Sequence, residues 1–342
     1  MTMTRLFILL SFIIFLSACE DSASRKSILP GCTGNPNEIL LVAPDQVWKT
    51  SAGDVFKGLM NKIQFGLPQD ELMFQNIEIK ESGFNDFWVT HRNIVRIEID
   101  KTKEEGISVK REVYARQQLY TIITIHNMDN LKAVLEPSIN QLLDVYYNEE
   151  ITRLIERNKY FGSKELNQQV AEITDINIVT QDEFFIAKQE DNFLWLRLER
   201  EKPIGGYQHQ ISQGLMVYWR PYTDTTNFSD TSLLAWKSEV NRKYVEGPKN
   251  SVMTISDRMI LPQTKYITFN DQAAKEIRGL FRMEGFIMGG PFYSLAFFNP
   301  ENGRQYMVEG FVYAPQFDKL KFLREIEAMV RSAKPITTKE AK

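Results

Sequence analysis

The stretch EIRGLFRMEGFIMGGPFYSLAFFNPENGRQYMVEGFVYAP, residues 276–315, decides the fold of this chain. With the residues just before it, it forms three runs at about 273–287, 291–299 and 304–314. These runs are rich in the aromatic and branched residues that favour strands. Gly289-Gly290 and Asn302-Gly303 separate the runs and tolerate the positive φ of tight turns. The pattern predicts three consecutive antiparallel strands.

Strand and helix patterns continue on both sides of this stretch. Upstream, residues 184–186 and 193–198 are typical of a hairpin, and 214–220 of a further strand. Residues 228–244 have the apolar spacing of a helix. Downstream, Asp318 is the predicted N-cap of a last helix, because its carboxylate can accept hydrogen bonds from the first free backbone N–H groups.

The first half of the chain has the same mixture of elements. Its predicted strands lie at 39–42, 73–80, 93–99 and 113–125, with a helix at about 52–63. Asp129 is the predicted N-cap of a long amphipathic helix that Pro137 should kink or restart. The whole pattern predicts an α+β fold with mostly antiparallel sheet and packed helices.

Composition excludes several classes of protein. The chain has 342 residues, 41 Lys+Arg against 44 Asp+Glu, and 43% hydrophobic residues, so it can bury a real core. The net charge of -3, without a basic tract, argues against a nucleic-acid partner. Two cysteines and three scattered histidines are too few for a metal cage, and no cofactor motif is present. We expect no metal and no cofactor.

The N-terminus has the pattern of a bacterial lipoprotein signal. Arg5 precedes an apolar run from Leu6 to Leu16, which is shorter than the ~20 residues of a membrane-spanning helix. Ser17-Ala18-Cys19 follows, and this ending resembles a lipobox, whose cysteine is acylated after cleavage. We expect residues 1–18 to be removed and Cys19 to carry the lipid. The alternative is an ordinary secretory signal with an accidental cysteine.

The predicted domains follow from these boundaries. Residues 19–37 form a flexible lipidated tether, 38–335 an α+β domain, and 336–342 a polar tail. In the predicted halves 38–160 and 175–335, a strand leads through similar residues to a helix. Either an internal duplication or coincidence explains this likeness.

One strand carries the candidate ligand-binding residues. Alternation within 274–284 places Glu276, Arg278, Arg282 and Glu284 on one face of that strand. The two guanidinium groups could bind an anionic ligand such as a sugar acid, a phosphate or a peptide carboxylate. The same four side chains could instead close on one another as a salt-bridge ladder.

Catalytic residues cannot be assigned from the sequence. The histidines lie in separate segments, and no nucleophile motif occurs. A hydrolase needs only two well-placed carboxylates, and Glu276, Glu284 and Glu309 are candidates for that alternative.

The chain resembles an uncharacterised family of Bacteroidota lipoproteins, domain of unknown function 4837, from Glu38 to about Ser332. The resemblance rests on the lipobox and on short motifs at residues 90–94, 191–197, 244–248, 276–284, 288–292 and 309–315. It implies an envelope lipoprotein and supplies no activity, ligand or catalytic residue.

We therefore expect a protein held by its N-terminal lipid at the outer membrane, facing the periplasm or the cell surface. The leading hypothesis is a non-enzymatic binding or assembly component with an envelope protein or glycan as partner. The alternative hypothesis is an envelope hydrolase that acts on glycan or peptide through a carboxylate pair.

Overall fold

A computed structural model describes residues 29–336 of the chain. The predicted signal peptide, the lipidation residue Cys19 and residues 337–342 of the polar tail lie outside the described residues. The described part contains a five-stranded sheet, a nine-stranded sheet and a two-stranded ribbon. None of the helices between residues 29 and 336 is long and apolar enough to span a membrane.

The first sheet is mostly parallel. Its strands are β1 (Glu38–Ala43), β2 (Gln75–Lys80), β3 (Asn93–Ile99), β4 (Gly106–Arg111) and β5 (Leu119–Ile125), in the order β2-β1-β3-β5-β4. Only β4 pairs antiparallel with its neighbour. Parallel strands need crossover connections, and the one from β1 to β2 contains a helix. That helix and the two that follow β5 cover one face of the sheet.

The helices of this part are α1 (Ser51–Met60), α2 (Leu131–Leu135) and α3 (Ile139–Phe161). Their apolar side chains form one core with that face of the sheet. Pro137 lies in a short 3₁₀ turn between α2 and α3, as its missing N–H requires. The prediction of Asp129 as N-cap is wrong. Asn127 Oδ1 accepts the backbone N–H of Asp129 at 3.0 Å, so Asn127 caps the 3₁₀ turn that leads into α2.

The second part is built on a nine-stranded antiparallel sheet. After α4 (Lys164–Thr174) its strands are β7 (Phe185–Glu190), β8 (Phe193–Ile204), β9 (Tyr207–Pro221), β10 (Glu246–Gly247), β11 (Ser251–Ser256), β12 (Gln263–Phe269), β13 (Gln272–Glu284), β14 (Gly289–Asn299) and β15 (Arg304–Tyr313). The strand order is β10-β11-β13-β14-β15-β9-β8-β7, and β12 also pairs with β13. The remaining elements are α5 (Asp230–Tyr244), α6 (Leu320–Arg331) and the ribbon of β6 (Ile176–Asn177) with β16 (Lys334–Pro335).

These elements confirm the α+β class with mostly antiparallel strands, including the three consecutive strands near the C-terminus. Gly303, with φ +68°, lies in the turn between β14 and β15 as predicted, whereas Gly289 and Gly290 belong to β14. Gly285, with φ +93°, makes the turn between β13 and β14. Gly290 is needed for close approach, since a Cβ there would lie 2.0 Å from Val312 O.

Helices cover both faces of the nine-stranded sheet. On one face α5 packs over a core that includes Met216, Met307 and Phe311. On the other face α4 and α6 pack over a second core, and α6 also contacts α3 of the first part. Two charged residues of α6 reach the first part: Arg324 Nη2 donates to Met73 O, and Glu327 accepts from Tyr147 OH, both at 2.8 Å.

The two parts have different topologies. One sheet is mostly parallel and the other is antiparallel, so the likeness of the predicted halves is limited to a strand followed by a helix. A duplication of one fold is not supported by this arrangement.

The predicted tether is wrong for residues 30–37, because this segment pairs with the first part. Gly31 bridges Arg116 and Thr33 bridges His91. The N–H of Thr33 donates to Thr90 O at 2.9 Å, and Arg92 N donates back to Thr33 O at 2.9 Å. The folded body therefore begins before Glu38.

The last helix is capped from a distance. The backbone N–H groups of Lys319 and Leu320 both donate to the carboxylate of Glu71 at 2.8 Å. Asp318, the predicted cap, is exposed and accepts only from Gln69 Nε2 at 3.3 Å. The prediction of Asp318 as N-cap is wrong, because a carboxylate from the other part fills that role.

Candidate ligand-binding pocket

The four predicted ligand-binding residues do not share one site. Glu276 and Arg278 lie in the middle of β13 and line a polar pocket at the junction of the two parts. Arg282 and Glu284 lie at the end of the strand, where Arg282 Nη2 donates to Glu284 Oε1 at 3.1 Å. Glu284 also accepts from Arg242 Nη2 at 2.8 Å. Arg282 and Glu284 thus pair with each other, as the salt-bridge alternative predicts.

The junction pocket has a volume of about 240 Å³. Four elements and one loop line it: α3, β12, β13, the end of α6, and the loop between α1 and β2. Its lining residues are Gln64, Met73, Asp144, Tyr147, Asn148, Lys265, Ile267, Glu276, Arg278 and Arg331. Most of them are polar or charged, so the pocket suits a polar ligand.

Arg278 is the centre of the pocket floor. Its Nε donates to Glu276 Oε1 at 2.9 Å, its Nη1 pairs with Glu327, and its Nη2 donates to Tyr147 OH at 2.9 Å. Its guanidinium also lies over the ring of Tyr293, 4.5 Å from the centroid. Arg278 therefore ties β13 to α3 and α6 and is not free for a ligand.

The surrounding charges hold these groups ionised. Burial alone would raise the pKa of Glu276, but Arg278, Tyr293 and Arg331 lower it below the ordinary value. Burial acts against the charge of Arg278, yet Glu327 and Glu276 raise its pKa well above the usual range. At neutral pH Glu276 is a carboxylate, so it cannot act as the general acid of a hydrolase.

Tyr147 links the same network to α6. Burial raises the pKa of Tyr147 to about 12, so its hydroxyl stays protonated near neutral pH. That hydroxyl donates to Glu327 Oε2 at 2.8 Å and accepts from Arg278. The floor of the pocket is therefore a fixed set of hydrogen bonds.

Arg331 is less completely paired than Arg278. Its Nη1 donates to Tyr147 OH at 3.3 Å and lies 3.7 Å from Glu276 Oε2. Its Nε and Nη2 have no hydrogen-bond partner among residues 29–336. Part of this guanidinium can thus face the pocket.

Two of the three carboxylates predicted for a hydrolase, Glu276 and Glu309, lie on opposite faces of the sheet. Glu309 points to the face of the sheet that α5 covers, because it aligns with Ser294 and Met216 and joins Lys237 there. Glu276 points to the opposite face, towards α6. The sheet separates the two carboxylates, so Glu309 and Glu276 cannot act on one bond.

Sequence reasoning missed the partners of Arg278. Tyr147 and Glu327 lie on helices 131 and 49 residues away in the chain. The available signal was in the last helix: Arg324, Glu327 and Arg331 follow one another at i,i+3 and i,i+4 spacing among its apolar residues. Charged residues on a buried helix face indicate buried partners.

A second, apolar surface surrounds the turn between β13 and β14. Ile287 at this turn is 100% exposed. The loop between β11 and β12 carries Met259, which is 65% exposed, and Leu261, which is 70% exposed. Beneath them a groove of about 960 Å³ is lined mostly by apolar side chains such as Phe281, Met283, Met288 and Tyr313. We call this region, residues 257–262 and 285–290 with the groove, the apolar surface.

Basic residues border the apolar surface. Arg258 is exposed, Lys249 Nζ lies 6.0 Å from the centre of the Phe286 ring, and Arg282 lines the groove. A partner of the apolar surface therefore meets both apolar side chains and positive charge.

Within residues 29–336 no group of three or more His, Cys, Asp or Glu side chains is arranged to hold a metal ion.

Comparisons with known proteins give family descriptions and no activity. The family model of a domain of unknown function (DUF4837) matches residues 163–332, which confirms the resemblance there. A different domain of unknown function (DUF8532) matches residues 32–159, so the resemblance to DUF4837 does not extend over the first part.

No curated protein matches the chain. Among solved structures, a mutant of the protein Mog1 is 10% identical and aligns over 48% of this chain and 93% of its own, with a TM-score of 0.30. That score is too low to indicate a shared fold. The chain is thus similar to the DUF4837 family over residues 163–332 and to the DUF8532 family over residues 32–159.

Proposed function

We propose that this protein is a lipid-anchored component of the cell envelope that binds a partner protein through the apolar surface and performs no catalysis. The observation that carries the proposal is the exposure of Ile287, Met259 and Leu261 beside an apolar groove. Soluble proteins rarely expose contiguous apolar patches of this kind without a partner.

The shape of the apolar surface favours a protein over a bilayer. A groove of about 960 Å³ can accept an apolar side chain or a helix face of a partner protein. Contact with a flat lipid surface instead requires a convex protein surface. The unbranched side chains of Met259, Met283 and Met288 can adapt to such a segment. With Lys249 and Arg258 at the border, the expected partner segment is apolar and flanked by acidic residues.

The carboxylate-pair hydrolase gains no support from the site. Glu276 is ionised in a fixed network, and Glu309 lies on the other face of the sheet. We therefore do not propose a hydrolase.

Photo-crosslinking in cells tests the partner. A crosslinking residue, p-benzoylphenylalanine, is placed at Ile287 or at Met259, where exposed positions tolerate substitution. Both positions should yield the same protein adduct, and Arg258→Glu should reduce its amount at least fivefold. The matched control is Phe87, which is 74% exposed in the first part and should give no such adduct.

The outcomes separate the occupants. Adducts with lipid alone, or the same adduct pattern at Ile287 as at Phe87, would refute the proposal that a partner protein binds the apolar surface. Once the partner is known, Ile287→Asp should weaken its binding at least tenfold, about 1.4 kcal/mol.

The anchor has its own test. Acyl chains of a lipidated Cys19 each contribute roughly 0.8 kcal/mol per buried CH₂, so together they form a stable anchor. Cys19→Ala should abolish labelling by an alkyne fatty acid and move the protein out of the membrane fraction. Retained labelling would refute anchoring at Cys19.

A further inference from the structure

We propose that the junction pocket binds a small zwitterion, a molecule with one ammonium and one carboxylate group such as an amino acid or a short peptide. This site is separate from the apolar surface, and the proposal does not depend on the partner protein. It is argued from the unpaired groups of the pocket, its charge balance and its size.

The unpaired groups of the pocket carry opposite charges. Asp144 on α3 and Lys265 on β12 are both exposed at the rim, and neither has an ion-pair partner within the described residues. Arg331 presents Nε and Nη2 without a hydrogen-bond partner in the same part of the chain. One negative and two positive groups thus remain available around one space.

Gln64 adds a neutral acceptor. This residue is 7% exposed, and its Nε2 donates to Phe65 O at 3.2 Å. Its Oε1 is buried and has no hydrogen-bond partner among the described residues. A buried acceptor without a donor is costly, and an ammonium group of a ligand would supply the donor.

The carboxylates that line the pocket argue against a simple anion as the ligand. Arg278, Arg331 and Lys265 line the pocket together with Glu276 and Asp144, and the charge of Arg278 is already taken up by its ion pairs with Glu276 and the adjoining Glu327. A phosphate or a sulfate would have to be bound beside the carboxylates of Glu276 and Asp144. A zwitterion instead complements the separated charges, with its carboxylate near Arg331 and Lys265 and its ammonium near Asp144 and Gln64.

The size of the pocket limits the ligand. Its volume of about 240 Å³ is below the roughly 300–1,000 Å³ of pockets for drug-sized molecules. It suits a single amino acid or a dipeptide. Because Arg278 and Tyr147 hold the floor in place, the ligand does not need to order it on binding.

Thermal shift and calorimetric titration of the full chain in detergent test the proposal. The probes are the twenty L-amino acids and glycylglycine, followed by the N-acetyl and the amide derivative of the best binder. We expect at least one zwitterion to bind and both blocked derivatives to bind at least tenfold more weakly. The N-acetyl form lacks the ammonium group and the amide form lacks the carboxylate.

Rim variants test the location of the ligand. Asp144→Asn and Lys265→Gln each change only an exposed side chain and should weaken binding at least tenfold. Asp129→Asn and Arg157→Gln, exposed residues outside the pocket, are the matched controls and should leave binding unchanged. Absence of binding by every probe, equal binding of the blocked derivatives, or unchanged binding in both rim variants would each overturn the zwitterion site.

Discussion

Replacing Lys237 by methionine should lower the free energy of unfolding by about 3 kcal/mol, because it strands a buried carboxylate. Lys237 and Glu309 are both 0% exposed between α5 and β15, and Lys237 Nζ pairs with Glu309 Oε1. The same Nζ lies 3.9 Å from the centre of the Phe292 ring. Methionine is unbranched and one atom shorter than lysine, so it removes the ammonium group and keeps the rest of the buried chain nearly unchanged.

The size of the effect follows from what remains around Glu309. Breaking a buried ion pair by removing one partner costs roughly 3–5 kcal/mol. Glu309 would still accept from Tyr218 OH at 2.8 Å and from Asn241 Nδ2 at 3.0 Å, so the low end of that range applies. Urea unfolding, followed by tryptophan fluorescence, measures the loss.

A double variant distinguishes a stranded charge from lost packing. Lys237→Met with Glu309→Gln removes both charges and keeps an acceptor for Asn241, so it should regain at least about 2 kcal/mol of the loss. Lys243→Met, an exposed residue of the same helix, should change stability by less than about 0.5 kcal/mol. A loss below about 1 kcal/mol in the single variant, or a double variant no more stable than the single one, would refute this reasoning.

Three further predictions concern the first part and its junction. Gly34 has φ +88° and a Cβ there would lie 2.1 Å from His91 Nε2, so Gly34→Ala should cost more than about 1 kcal/mol in urea unfolding. Gly31→Ala, with open space around its Cβ, should change stability very little. Equal losses of stability in the two variants would instead favour the predicted flexible tether. Glu71→Ala should cost about 1–2 kcal/mol through loss of the α6 cap, and Asp318→Ala less than about 0.5 kcal/mol; the reverse order of midpoints would favour Asp318 as cap. Burial lowers the pKa of His91 below 6.5, so the unfolded chain binds the proton first and stability falls as pH drops below 6.5, by at most about 1.4 kcal/mol per unit. His91→Gln should remove that slope between pH 7 and 5, and an unchanged slope would assign it to other groups.

Local patterns predicted most of the secondary structure. The three runs from 273 to 314 alternate and are separated by turn residues, so the sequence itself limits them to consecutive antiparallel strands. The short apolar runs of the first part fit a parallel or an antiparallel strand equally well. Their parallel pairing depends on where the crossovers return the chain, which no single segment encodes.

The candidate site was predicted only in part for a related reason. Alternation along β13 correctly puts Glu276 and Arg278 on one face. It does not say that α6 and α3 will cover that face with Glu327 and Tyr147. The cover decides whether the charges form a solvated ladder or a buried network, and it comes from segments distant in the chain.

The buried network also gives the junction pocket its shape. Arg278 contacts β13, α3 and α6 at once, through Glu276, Tyr147 and Glu327. Because each of these groups is hydrogen-bonded, none can turn towards a ligand without leaving a buried charge unpaired, which costs several kcal/mol. Recognition must therefore come from the rim and from Arg331, and the paired floor sets the distance between the positive and the negative groups that a ligand has to span.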